Sequence, residues 1–349
     1  MKLVFNIKRL IIVFTLLITA VNCTAQQENN SCYEALKLAE KAYQVGHFTE
    51  SLELLKPCVG KLEKADVFEA YRLMALCYLS LNDEKMANEA AINLLKHKPD
   101  YRYFPFFDPI ELTQLLAKYS VWPKLEVGLS TGINFNSVHS LKNYSVTGSS
   151  SKYLSNIGYQ SGLIVEYNIM KRFSLNSGIY FEGLSYSKTS DNISGWDQTF
   201  KEKMRFFNIP VLGRYSFYQK EGLSLAAEIG MQMQMLNSTN SNILHHNSES
   251  GERIENTISQ SSQRNSKLFY GIMGVALKYK VGGGNVCTNV QYAYGINNVV
   301  KTDNRYNNLD FILANQYVDS DFSFNTLYVS LGYQFPIPNM YAVKLKNNK

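Results

Sequence analysis

The hydrophobic period of the chain changes near Trp122-Pro123. Before that point apolar residues recur at helical spacing. Leu36, Ala39, Ala42 and Tyr43 share one face, and Phe48, Leu52, Leu55 and Val59 share the next, with Gly46 as a turn signal between them. A second helix pair is expected over Phe68–Leu81 and Lys85–Lys96, broken at Asn82-Asp83 and stopped before Pro99. A last helix, Pro109–Tyr119, is expected behind Asp108 as N-cap, with proline at its first position.

After Trp122 the period is two. Leu223, Leu225, Ala227, Ile229, Met231, Met233 and Met235 alternate with Ser224, Ala226, Glu228, Gly230, Gln232 and Gln234. Eight such runs lie near 124–135, 157–169, 172–186, 204–217, 222–236, 267–281, 285–297 and 323–335. Their length is close to the roughly 9–11 residues of a tilted membrane strand. A soluble sandwich alternates in the same way, so the connections decide. Those after the second, fourth and sixth runs are tight: Met170-Lys171, Tyr218–Glu221 and Gly282–Gly284. The others are long and rich in Ser and Asn. Tight turns on one rim and long loops on the other is the outer-membrane barrel pattern, and an even strand number returns both termini to the tight-turn, periplasmic rim. The expected fold is therefore two-part: N-terminal all-α helical hairpins, then an all-β, eight-stranded, antiparallel up-and-down transmembrane barrel. Pro210 has no N–H for the ladder, which predicts a bulge or kink in the fourth run.

Composition narrows the reading. Charged residues are 18%, below the roughly 25% of soluble proteins. Hydrophobic residues are 45%, which argues against disorder. The longest apolar run, Leu10–Ala20, is too short for a membrane helix. A net charge of +6 with no basic cluster in the sequence argues against nucleic acid as a partner. That same apolar run follows Lys2, Lys8 and Arg9 and ends at Cys23-Thr-Ala25, which predicts a secretory signal peptide cleaved after Ala25. Cys23 leaves a lipidated N-terminus as the alternative. The expected domains are a signal peptide (1–25), a periplasmic helical domain (26–121), an outer-membrane barrel (122–335) and a periplasmic C-terminal tail (336–349).

The spacing of Ala75, Tyr78, Ala87, Ala91 and Pro99, echoed about 36 residues earlier by Ala39, Gly46, Phe48, Ser51 and Leu55, resembles the tetratricopeptide repeat (TPR) over roughly residues 33–100. The resemblance implies a protein- or peptide-binding groove, with Tyr43, His47, Tyr71 and Tyr78 as groove candidates. A plain helical bundle is the alternative. The stretch Phe206-Phe-Asn-Ile-Pro-Val-Leu-Gly-Arg-Tyr215 resembles the PorT-like, OmpA-type small outer-membrane β-barrels of Bacteroidota-type bacteria. That family includes a component linked to protein secretion across the outer membrane. This chain differs in carrying a helical domain in front.

In such a barrel the inward phase holds Glu126, Glu166, Glu182, Asn208, Arg214, Glu228, Gln232, Asn289 and Gln291. They suit either a small-ligand or ion path or a hydrogen-bonded plug in which Arg214 offsets several carboxylates. Cys32 and Cys58 end two neighbouring helices and are either a disulfide, worth about 3 kcal/mol, or two small buried side chains; Cys77 reads as core. The histidines are 47, 97, 139, 245 and 246, of which His139, His245 and His246 are expected in outer loops. His245-His246 could bind metal or be a solvated pair. No catalytic residue, cofactor site or metal site is predicted.

The function these features point to is an outer-membrane barrel anchor, surrounded by outer-membrane lipid, whose periplasmic TPR-like domain recruits an envelope protein. The alternatives are a surface receptor or adhesin acting through the 237–266 and 298–322 loops, and a rim-located lipid or peptide hydrolase.

Overall fold

The computed structural model describes residues 31–101, 108–144, 152–191, 196–247, 250–307, 309, 312–313 and 317–346. The expected signal peptide and Cys23 lie outside the described residues. The chain divides into two compact units, Lys124–Ile337 and the segments that precede and follow it.

The first unit contains α1 (31–44), α2 (Phe48–Leu55), α3 (Lys64–Ser80), α4 (Glu84–His97) and α5 (Ile110–Ala117). Gly46 takes a φ of +85° and lets α1 turn into α2, with His47 N–H donating to the Ala42 carbonyl. Asp83 caps α4 by accepting from Met86 N–H. Small residues, among them Ala39, Ala70, Ala75, Ala87 and Ala91, are fully buried and let the helices approach closely. The unit also holds a two-stranded antiparallel ribbon, β1 (Tyr119–Pro123) with β12 (Tyr341–Leu345). The C-terminal stretch expected as a separate tail is thus a strand of the helical unit. Asp108 does not cap α5, which begins after Pro109 without a side-chain cap. Its carboxylate is taken by Arg72 and Tyr101 instead.

The second unit is an antiparallel sheet closed on itself. Its long strands are β2 (Leu125–Lys142), β4 (Ile157–Asn168), β5 (Phe173–Asp191), β6 (Trp196–Lys220), β7 (Leu223–Asn247), β9 (Lys267–Val281), β10 (Gly284–Gly295) and β11 (Asp321–Pro336). Each pairs with the next in the chain, and β11 pairs back to β2, with Leu327 opposite Phe135. Two short strands, β3 (Lys152–Ser155) and β8 (Arg253–Ile258), pair with β5 and β7. The side chains alternate as a membrane barrel requires: Leu129 and Ile229 are 66% and 70% exposed, whereas Glu126 and Asn134 are buried. The β6–β7 turn is Glu221-Gly222, both at positive φ, as a two-residue type I′ hairpin demands.

Two expectations are corrected. Residues 187–191, 196–203 and 237–247, expected in loops, are strand: β5, β6 and β7 run on through them, and β8 continues the sheet. Beyond the apolar belt the outward phase turns polar while the backbone ladder continues, so the pattern fades but the strand does not. At Pro210 there is no register shift. The β5–β6 ladder instead skips the rungs between Ser177–Val211 and Tyr180–Asn208, and Ser177 Oγ donates to the Pro210 carbonyl at 2.8 Å. The register shifts of β6 fall at Arg205/Phe206 and Ser216/Tyr218.

Candidate functional site

Three polar levels cross the barrel interior. At the tight-turn end, strand alternation aims Glu126, Glu166, Arg214, Glu228 and Lys278 inward. Arg214 Nη1 donates to Glu166 Oε2 at 2.7 Å, and Nε donates to Glu228 Oε1 at 2.7 Å. Lys278 Nζ reaches Glu126 Oε2 at 2.6 Å and Glu166 Oε2 at 2.8 Å. Asn285 donates to Glu126, Gln291 to Glu228 and Ser174 to Glu166. Two cations and neutral donors thus satisfy three buried carboxylates.

The middle level centres on Glu182. Oε1 accepts from Tyr328 Oη at 2.9 Å and Asn134 Nδ2 at 3.1 Å; Oε2 accepts from Gln234 at 2.8 Å and Asn208 at 3.2 Å. Gln232 donates to Tyr328 Oη. No ion pair involves Glu182 among the described residues, so four neutral donors hold it. Asn289, also buried, donates to Ser330.

The third level lies at the long-connection end. Arg264, fully buried, donates from Nη2 and Nε to Glu202 at 2.7 and 3.0 Å and from Nη1 to Asp319 at 2.7 Å. Tyr186 donates to Glu202 and Tyr317 to Asp319. Arg305 donates to the Asp319 carbonyl at 2.6 Å and pairs with Asp321. Aromatic rings close around this cluster: Phe200 stacks on Tyr317 at 4.6 Å, and Tyr186 meets Phe322 and Phe324 edge-on. The described parts of the 237–266 and 298–322 segments are therefore not free loops. They send Gln260, Gln263, Arg264, Arg305 and Asp319 into the barrel mouth, where all are buried.

All nine inward polar residues named from the sequence take part in or flank these levels. Asn134, Gln234 and Tyr328 stand on the inward phase of the alternating runs without having been named as site residues, and Lys278 was missed, although it follows the same alternation between outward apolar neighbours. Arg264, Asp319 and Arg305 stand in connections and carry no periodic signal. The three histidines expected in outer loops stand on strands, His139 on β2 and His245 and His246 on β7. Four pairings separate β2 from β7 in either direction around the ring, so the wall does not bring His139 to the other two. Among the described residues no three His, Cys, Asp or Glu side chains are grouped to hold a metal ion.

In the helical unit Cys32 and Cys58 are joined by a disulfide, with Cα atoms 5.2 Å apart. The four groove candidates fall into different environments. Tyr78 is 5% exposed and part of the core, so it cannot line a groove. Tyr43 packs half-buried against Phe48, and Tyr71 stacks on His97 at 5.6 Å. His47 is exposed and contacts Glu50. Loss of water beside Tyr71, and then the neighbouring Lys96, hold the His97 imidazole below its ordinary pKa. A cluster not foreseen ties α3 to the segment before α5. Arg72 Nε donates to Asp108 Oδ1 at 2.8 Å, Nη1 donates to Glu69, and Tyr101 Oη donates to Asp108 Oδ2 at 2.8 Å. Burial, and then the hydrogen bond to Asp108, push the Tyr101 hydroxyl above its usual pKa of 10.

A family profile described as an outer membrane protein beta-barrel domain matches residues 114–301. No curated protein matches the chain. Solved structures similar to it include Ail, the attachment invasion locus protein of Yersinia pestis, at 12% identity over 60% of this chain and 98% of that one, with a TM-score of 0.25. The outer membrane protein OprG from Pseudomonas aeruginosa shows 8% identity over 61% of this chain and 97% of that one, with a TM-score of 0.35. The outer membrane protease OmpT from Escherichia coli shows 10% identity over 62% and 98%, with a TM-score of 0.30. At these values the likenesses carry no argument about ligand or activity.

Proposed function

This chain belongs to the outer membrane protein beta-barrel domain family, and from that premise we propose that it anchors a periplasmic adaptor in the outer membrane. In this reading the closed sheet spans the membrane with eight strands, and the helical unit hangs in the periplasm. Its two TPR-like hairpins, α1–α2 and α3–α4, recruit an envelope protein. The observation that carries the reading is the β1–β12 ribbon. One strand precedes the barrel and the other follows it, so a single folded unit is made from both ends of the chain, and both ends belong to one compartment. The barrel supports the same orientation. Glu126 and Pro336 are ladder neighbours on the rim that also carries the turns at Glu221-Gly222 and Gly282-Gly283, and short turns face the periplasm in bacterial barrels.

The test is photo-cross-linking in cells from Leu38 on α1 or Val45 in the turn after it, both large apolar side chains that are exposed, followed by mass spectrometry. One dominant envelope protein, absent when the photo-reactive group stands instead at the outward-facing Ile229, is the expected result. Recovery of background proteins alone overturns the adaptor role. A second reading, a surface receptor, is favoured by the extension of β5–β8 beyond the apolar belt; competition for cell-surface binding by an antibody against the 250–258 hairpin tests it.

A further inference from the structure

The outward face of β5, β6 and β7 changes chemistry abruptly. Up to Phe207 the outward residues of β6 are apolar, with Val211 and Phe207 exposed. An aromatic row, Tyr159–Phe181–Phe207, runs across three strands with ring centroids 6.3 and 5.9 Å apart. Such girdles mark the level where lipid tails give way to headgroups. Directly beyond the girdle the next outward residues of β6 are Arg205, Lys203 and Lys201, all exposed. The register flanks each cation with small or neutral side chains: Arg205 lies between Gly183 and Ser238, Lys203 between Ser185 and Asn240, and Lys201 between Ser187 and Asn242. No acidic residue stands in these rows. Glu255 on β8 is the neighbouring carboxylate, and it accepts from Asn242. None of the three cations forms an ion pair among the described residues. They escape notice in the sequence because the inward-facing Glu202 and Met204 separate them.

The same place is concave. A cleft of about 760 Å³ is lined by Lys203, Arg205 and Tyr159, by the polar Ser185, Ser238, Asn240 and Thr257, and by the apolar Ile157, Leu184 and Met204. The Tyr159 ring lies over Gly183, where a Cβ would meet it at 2.5 Å, so this glycine lets the ring lie across the base of the cleft.

We propose that this cleft binds the phosphorylated sugar headgroup of an outer-leaflet glycolipid. Lys203 and Arg205 take the phosphate through charge-assisted hydrogen bonds. The serine, threonine and asparagine groups meet sugar hydroxyls, and the acyl chains descend past Phe207 and Val211. A bare anion would use the cations alone, whereas a phosphorylated sugar also offers hydroxyls to Ser185, Ser238, Asn240 and Thr257 and a ring face to Tyr159, and a glycerophospholipid headgroup offers fewer of either. That this rim faces the outer leaflet rests on the orientation proposed above.

The test uses the full chain in phosphatidylcholine nanodiscs doped with lipid A, with the bound lipid counted by native mass spectrometry. Wild type is expected to retain lipid A about tenfold or more over enzymatically dephosphorylated lipid A and over phosphatidylglycerol. Lys203→Gln/Arg205→Gln is expected to abolish that preference, whereas Lys220→Gln/Lys280→Gln on the opposite rim leaves it intact. Heat-modified gel migration verifies that each variant is folded. Equal retention of the dephosphorylated lipid, equal capture of phosphatidylglycerol, displacement of lipid A by millimolar inorganic phosphate, or an unchanged double variant each overturns the assignment. These readouts do not depend on orientation. Labelling of Lys201→Cys on intact cells decides orientation separately.

Discussion

The ion clusters at the two ends of the barrel use the same chemistry but are assembled differently. At the tight-turn end every charged member stands on a strand, Glu126 on β2, Glu166 on β4, Arg214 on β6, Glu228 on β7 and Lys278 on β9. Their meeting is a consequence of the ladder. At the other end Glu202 stands on β6, but Arg264 comes from the connection after β8, and Asp319 from the one before β11. Buried ion pairs contribute little net stability over apolar filling, yet removing one partner is costly because the other is left buried and charged. The first cluster therefore fills a wall that its backbone already holds, whereas the second latches two long connections into the mouth.

The sharpest way to break this contrast is Arg264→Met. It leaves Glu202 and Asp319 without their shared cation in a site with no exposure, so a loss of about 3–5 kcal/mol is expected. Urea unfolding of the refolded chain in detergent micelles measures it. Limited proteolysis should show new cleavage within 298–322, since those residues lose their anchor. Unchanged stability and unchanged cleavage would mean that the aromatic packing around Phe200 and Tyr317 holds the mouth without the ion pairs.

Arg214→Met should cost less, about 1–3 kcal/mol. Lys278 stays on Glu166, and Gln291 stays on Glu228, so neither carboxylate is stripped of donors. Adding Lys278→Met should then cost more than the sum of the single changes, because the second removal takes the last cation from all three carboxylates. Strict additivity in the same unfolding assay would show that the two cations act independently and that sharing does not protect the cluster.

Legibility in the sequence follows the same division. Alternation places Glu126, Glu166, Glu182, Arg214 and Glu228 inside because a strand has no other side to offer them. Lys278 could have been found by the same rule, since Leu277 and Tyr279 face outward on either side of it. Arg264 and Asp319 could not, because a connection has no period to read. The outer thirds of β5, β6 and β7 were hidden for a different reason. Beyond the apolar belt the outward phase need not be hydrophobic, so Ser187, Lys201 and Asn242 look like loop residues although they sit in a ladder. β12 is too short, at five residues, for a pattern to show. Asp108 carries the signature of an N-cap, but Arg72 and Tyr101 compete for its carboxylate and win.

That last cluster gives the smallest and most discriminating comparison. Like Arg264, Arg72 binds an acid from a connection, here the one between α4 and α5. Unlike Arg264 its side chain is 13% exposed; in both clusters tyrosine donors stay on the acids when the guanidinium is removed, Tyr101 on Asp108 here and Tyr186 and Tyr317 on Glu202 and Asp319 there. Arg72→Met is therefore expected to cost only about 1–2 kcal/mol. Trp122 on β1 reports this unit, and Trp196→Phe makes it the sole tryptophan of a chain that has 2. The pH dependence carries an independent signature. Burial and the hydrogen bond to Asp108 raise the Tyr101 hydroxyl in the folded state, so its contribution is full below pH 10 and is lost as pH rises through the raised value. Tyr101→Phe should weaken that alkaline limb, leaving the part supplied by Tyr43, Tyr71 and Tyr119, whose hydroxyls burial also raises. If Arg72→Met cost as much as Arg264→Met, the connection origin of the partner would set the penalty. If it costs the smaller amount, burial sets the penalty and the connection origin of the partner does not.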